Sequence, residues 1–205
     1  MMLRAVVKAF AVLLGVTGAY FLGVAFPDPL FPVATAHASV TFRARTSVDP
    51  SAANELVDSV LARISTSELY DSAVRHRVLI VGDRALWSIL NGPYQSAIAR
   101  NVDIGNAIFI PRLDAANRRI VHFDGRSTDA VGILSHEIMH TFIERRVGLK
   151  YWTLPWWKRE GYAEYIGSAR CRELDSPERY REAALTWKRL LEESHLTFDQ
   201  IIALP

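Results

Sequence analysis

Apolar residues recur along this chain at two periods, and the alternation between them outlines an α+β fold. Val40 to Arg45 alternates apolar and polar, the period of a strand with one face buried. Leu56, Val57, Val60, Leu61 and Ile64 fall at helical spacing behind Asp49-Pro50-Ser51, where Asp49 can cap and Pro50 suits a first turn. Short apolar runs at Arg77 to Val81, Ala107 to Ile110 and Arg119 to Phe123 predict strands, closed by Gly82-Asp83, Pro111 and Asp124-Gly125. Arg84 to Leu90 predicts a short helix stopped near Asn91-Gly92-Pro93. Ile133, Leu134, Ile138, Phe142 and Val147 give one face of a longer helix. Ser127 or Thr128 is its expected N-cap, Gly148 its stop, and Arg145 and Arg146 complement the dipole of its last turn. An aromatic connector with Tyr151, Trp152, Trp156 and Trp157 follows. A second helix is expected from about Pro155, and a third opens at Pro177 and ends near Ser194.

The N-terminus breaks this pattern. Arg4 and Lys8 precede an uncharged apolar run from Ala9 to Phe26, 18 residues long, the lower end for a spanning helix. Positive charge lies before the run and none follows until Arg43, which places the N-terminus inside and the body outside the membrane. Residues 1–26 are therefore expected to be a transmembrane anchor, with a signal segment cleaved at Ala36-His37-Ala38 and a secreted body as the alternative. Residues 27–39, rich in proline and small side chains, read as a linker, and residues 40–205 as one domain.

Half the residues are apolar, enough for a core in a domain of this length. The net charge is only +2, and the basic pairs Arg118-Arg119, Arg145-Arg146 and Lys158-Arg159 are isolated, so no nucleic-acid partner is expected. Cys171 is the single cysteine, which excludes an intrachain disulfide.

The chemistry concentrates on the long helix. His136-Glu137-Ile138-Met139-His140 puts two imidazoles four residues apart, on one helical face, where both can reach one metal ion. Glu137 sits about a quarter-turn round, placed to act as a general base without ligating. Nineteen residues separate His140 from Glu160, which lies inside Trp157-Lys158-Arg159-Glu160-Gly161-Tyr162-Ala163-Glu164-Tyr165. Two histidines and a glutamate form a catalytic zinc set that leaves a fourth position for water.

These motifs resemble the gluzincin metallopeptidases, the thermolysin-like clan. His-Glu-x-x-His followed by Trp157-x-x-Glu160-Gly161-x-Ala163-x-Tyr165 is most similar to the one-zinc aminopeptidase branch, over about residues 104–168. The resemblance implies a minimal α+β zincin fold, in which a small mixed sheet packs on the helix of the two histidines and the Glu160 helix closes the cleft. It implies that His136, His140 and Glu160 bind one Zn2+, that Glu137 is the catalytic base, and that Glu164 orients a ligand histidine. It also makes Gly105 to Phe109, with Asn106 and Ala107, a substrate-binding edge strand. The aminopeptidase signature for a substrate amine is absent there. A Tyr or His that stabilises the transition state is expected after the third ligand, with Tyr165, Tyr180 and His195 as candidates. Trp157 is expected to pack behind Glu160, and Trp152 and Trp156 to pack in the core or pocket, with a membrane interface as the alternative.

The expected function is zinc-dependent hydrolysis of peptide bonds on the membrane exterior. Two alternatives stand beside it: a catalytically silent zinc-bearing scaffold, and a zinc hydrolase acting on a non-peptide substrate.

Overall fold

The computed structural model describes residues 26–102, 106–173 and 176–205, with scattered positions between 10 and 20. The expected N-terminal apolar segment lies, but for those positions, outside the described residues. Among the described residues no helix is long and apolar enough to cross a membrane.

The fold is α+β. A five-stranded mixed sheet has the order β1-β2-β3-β5-β4. Its strands are β1 (Val33–His37), β2 (Val40–Ala44), β3 (His76–Ile80), β4 (Arg100–Val102) and β5 (Ala107–Ile110). β1 and β4 pair antiparallel with their neighbours, whereas β2, β3 and β5 run parallel. Parallel neighbours need crossovers, and these are helices α1 (Pro50–Ile64) and α2 (Arg84–Asn91). Asp49 caps α1 by accepting from the Ala52 N–H at 3.0 Å, and Asp83 caps α2 by accepting from the Leu86 N–H at 2.7 Å. Three short strands, β6 (Leu113–Asp114), β7 (Arg119–Val121) and β8 (Ser127–Asp129), form a second sheet that feeds α3 (Ala130–Val147). A 3₁₀ turn (Gly148–Thr153) leads to α4 (Trp156–Gly167), followed by α5 (Glu178–Lys188) and α6 (Phe198–Ala203).

The central strands are buried on both faces, which is why they read as continuous apolar runs. Val78, Ile80, Ile108 and Ile110 face the main core with α1, α3 and α4. Leu79, Val81, Ala107 and Phe109 face a smaller cluster with Phe31, Trp87 and Leu90.

Three expectations need correction. Residues 27–39 are not a bare linker: Phe31 is fully buried and Val33–His37 pairs with β2. The cap of α3 is Asp129, the last residue of β8, which accepts from the Gly132 N–H at 2.5 Å, because the helix begins at Ala130 and not directly after Ser127 or Thr128. β5 is not an edge strand: β3 and β4 flank it, Ala107 is fully buried, and the Asn106 amide is spent on the Arg75 carbonyl at 3.1 Å. The outermost strand on that side is β4. Gly105 lies outside the described residues.

Two features hold α4 in place. Lys158 is 2 % exposed and donates from Nζ to the carbonyls of Ile202 (3.1 Å) and Leu204 (2.5 Å), binding α6 to α4. Burial lowers the pKa of that amine. On another side, α4 touches α5 so closely that a Cβ at Gly161 would lie 2.6 Å from Trp187 Cδ1 and 2.9 Å from the Ala183 carbonyl. Alanine normally favours a helix interior over glycine by about 1 kcal/mol. Here that preference is opposed by an overlap with backbone, typically worth about 1–3 kcal/mol or more. Gly161→Ala is expected to lower the unfolding free energy, and a rise in the urea midpoint would contradict the packing described.

His76 is 1 % exposed, and neither ring nitrogen finds a partner among the described residues. Burial first, then the charge of Arg145, lowers its pKa to about 4. The folded state therefore prefers the neutral ring. The associated stability is present above about pH 6.5 and is lost as pH falls toward 4. Between pH 7 and 4.5 the loss from this residue is about 2 kcal/mol. His76→Phe is expected to flatten that part of the acid limb of unfolding free energy against pH, and an unchanged slope would refute the assignment.

Candidate metal centre

The site is built where two helices touch. A Cβ at Gly167 of α4 would lie 3.0 Å from the Gly132 carbonyl and 3.0 Å from His136 Cβ, so glycine is what lets α4 lie against α3 beside the first histidine. On α3, the four-residue spacing turns His136 and His140 to the same side. On α4 the same spacing turns Glu160 and Glu164 back toward them.

The structure brings His136, His140 and Glu160 together. The two Nε2 atoms are 3.1 Å apart, and Glu160 Oε2 is 3.4 Å from each. Tetrahedral coordination with metal–ligand distances of about 2.0–2.1 Å requires ligand atoms about 3.3–3.4 Å apart. The three edges fit one face of such a tetrahedron, and this group could hold a metal ion. The histidine side chains are 11 % and 8 % exposed and that of Glu160 is 19 % exposed, so the trio sits in a recess and not on open surface.

The electrostatics favour a cation at the shared point. Burial opposes an imidazolium at His136, yet the carboxylates of Glu160, Glu164 and Glu137 outweigh it and raise its pKa to about 10. Burial likewise opposes ionised Glu160, but the two imidazoles prevail and hold its carboxyl far below the usual carboxylate range.

Each ligand ring is held from behind. Glu164 Oε2 is 3.1 Å from His136 Nδ1, and its other oxygen accepts from Ser176 Oγ. A carboxylate only accepts, so it keeps a proton on Nδ1 and turns the Nε2 lone pair toward the metal position. Ser168 Oγ donates to the Glu164 carbonyl at 2.6 Å, fixing the end of α4. For His140 the partner is Tyr151, whose hydroxyl lies 3.1 Å from Nδ1. Arg159 stacks over the Tyr151 ring at 5.3 Å. Tyr151 belongs to the 3₁₀ turn just after α3, and nothing in its spacing marks it as a partner for His140.

Glu137 is held by the sheet. Its Oε2 accepts from the Asn101 backbone N–H on β4 at 2.8 Å. The Asn101 amide donates in turn to the Glu137 carbonyl (3.2 Å) and to Thr141 Oγ1 (3.3 Å), so one asparagine fixes the outer strand to α3 across one helical turn. No sequence motif announced Asn101, because β4 is only three residues long and lacks an apolar period.

The three candidates for a transition-state donor separate clearly. Tyr165 is buried and donates to Glu192 at 2.8 Å. His195 is exposed, in a left-handed backbone conformation after α5. Tyr180 alone stands at the site, its ring 6.2 Å from His136 and 5.0 Å from Trp156. Asn106 and Ala107 lie in or beside the interior strand, away from any free edge. Trp157 packs on Trp187 with centroids 6.4 Å apart. Trp152 is 60 % exposed and does not enter the core.

Compared with protein-family models, with curated proteins and with solved structures, the chain matches none. The functional reading therefore rests on the geometry of the site.

Removing the rear supports should loosen the metal without removing a ligand. Tyr151→Phe and Glu164→Ala are each expected to lower affinity for a divalent transition metal by about 10–100-fold, the usual effect of losing a hydrogen bond to a ligand. Competition with a chromogenic chelator measures this, and wild-type affinity in both variants would show the two contacts to be incidental.

Proposed function

We propose that the protein is a zinc-dependent hydrolase of peptide bonds. The observation that carries this reading is the tetrahedral face formed by His136, His140 and Glu160 beside a carboxylate that is positioned but not ligating. A purely structural site closes all four positions with protein ligands. Here three ligands come from the chain, and the neighbouring acid, Glu137, is fixed by Asn101 instead of joining them.

Zinc suits two imidazoles and one carboxylate, and when bound it supplies Lewis acidity and lowers the pKa of a water toward ~7. The residues of the chain do the rest. Glu137 receives the proton of the attacking water and returns it to the leaving amine, and its bond from the Asn101 N–H sets the direction of the carboxylate. Tyr180, half-buried and beside His136, offers a phenol O–H to the oxygen that gains charge as the carbonyl is attacked. Glu164 and Tyr151 keep the imidazoles from rotating.

The peptide class follows from the sheet. β4 is the outermost strand on the metal side, and an extended chain can add to such an edge through backbone hydrogen bonds. The Asn101 N–H is already given to Glu137, so an extended chain laid on β4 would pair there through the Asn101 carbonyl and pass beside the base. This moves substrate binding from Asn106–Ala107 to Arg100–Val102.

Glu137→Gln is expected to retain one zinc per chain and to lose about 10²–10⁴-fold in cleavage of a peptide library. Metal analysis and peptide mass spectrometry on the same preparation test both halves. Wild-type protein holding one zinc and cleaving no peptide would overturn the hydrolase reading and favour the silent scaffold.

A further inference from the structure

The 3₁₀ turn Gly148–Thr153 shows two opposite faces. Tyr151 points inward, is 6 % exposed, and contacts His140. Leu149 and Trp152 point outward and are 90 % and 60 % exposed, the former being the most exposed large apolar side chain among the described residues. In a 3₁₀ helix residues three apart eclipse, so Leu149 and Trp152 stand in one line along the turn. Gly148, with φ of 61°, breaks α3 sharply and starts the turn, and its N–H bonds back to the Glu144 carbonyl. Exposed cations surround the line: Arg145 and Arg146 end α3, and Lys150 lies between the two apolar residues. Arg146 is engaged by Asp199, which leaves the exposed Arg145 and Lys150.

Single exposed apolar residues are ordinary on a protein surface. A leucine and a tryptophan aligned on a rigid turn between basic residues are less so. That combination is what the boundary between lipid headgroups and acyl chains takes: an indole at headgroup depth, an aliphatic chain below it, and cations for anionic lipid. The chain also supplies a reason for a lipid surface to be near. The uncharged apolar run ends at Phe26 and β1 begins at Val33. The six residues between them reach no more than about 20 Å even when extended. A body so closely tethered stays within reach of whatever that run enters.

We propose that the turn Gly148–Thr153 is a lipid-contact element that inserts Leu149 and Trp152 into the headgroup region of a membrane containing anionic lipid. This role is independent of the hydrolase reading, because it requires neither metal nor turnover. Inserted there, the turn holds the metal centre at the membrane surface, since the same turn carries the tyrosine that contacts His140.

Tryptophan fluorescence tests this in the full chain reconstituted into vesicles. All five tryptophans lie between Trp87 and Trp187, so the N-terminal run contributes no signal. The lipid is phosphatidylcholine mixed with phosphatidylglycerol, with acyl chains brominated just below the headgroup to quench a shallow indole. Wild-type emission is expected to be quenched, and Trp152→Phe to lose most of that quenching while its near-ultraviolet circular dichroism stays native in the core bands. Lys150→Glu combined with Arg145→Glu is expected to reduce quenching with Trp152 intact. Leu149→Ser does the same through the apolar side chain. Equal quenching in wild type and Trp152→Phe overturns the proposal, as does no quenching in either. Quenching that is as strong in pure phosphatidylcholine overturns the requirement for anionic lipid. Concentration-dependent shielding of Trp152 from iodide in detergent solution, without lipid quenching, assigns the turn to a second copy of the chain and overturns the lipid contact.

Discussion

The contact between α3 and α4 at Gly132 and Gly167 is the constraint on which the metal centre depends. Neither helix carries the whole site. α3 offers two imidazoles and the Glu137 carboxylate, and α4 offers Glu160, which completes the group that could hold a metal, and Glu164, which contacts one of the rings. Only an axis-to-axis approach close enough to exclude a Cβ at Gly167 brings Glu160 Oε2 within 3.4 Å of both Nε2 atoms. The surrounding packing defends that approach. α5 abuts α4 at Gly161, Arg63 of α1 donates to the Gly167 carbonyl at 2.5 Å, and Ser168 closes the helix end. Three buried or half-buried carboxylates converge on this point, and their mutual repulsion is tolerable only where positive charge is shared among them.

Much of this was legible in the sequence, and the reasons are specific. The four-residue spacing of His136 and His140 is a property of one helix, so it survives without knowledge of the fold. Asp49 and Gly148 could be read because capping is local chemistry. Glu160 needed the resemblance to a known motif, since nineteen intervening residues say nothing about distance. What could not be read depends on contacts between segments far apart. Asn101 meets Glu137 across 36 positions, and Tyr151 meets His140 through the path of a turn. β1 was hidden because its small residues and flanking prolines suggest a linker, and pairing with β2 decides otherwise. The sequence of β5 shows an apolar run but not its neighbours, so it does not distinguish an interior strand from an edge. Strand order is a tertiary fact. The α6 capping box of Thr197 and Gln200 was a local signal that went unread.

The sheet and the metal helix form one mechanical unit through Asn101. Its backbone N–H holds the Glu137 carboxylate while its side-chain amide holds the Glu137 carbonyl and the Thr141 hydroxyl one turn on, so β4 and this part of α3 are tied together. On the proposed reading, the strand that would take the substrate also restrains the base, which would link binding to alignment of the reactive group.

Lys158 adds a temporal dimension. It sits two residues before Glu160, and the carbonyls that satisfy its amine come 44 and 46 residues later in the chain. During synthesis His136, His140 and Glu160 are therefore all made before the acceptors that let that ammonium be buried. Until then the ammonium lacks the two carbonyls that satisfy it in the folded chain. Maturation of the centre should thus trail synthesis of its own ligands, with the arrival of Ile202 and Leu204 acting as the latch.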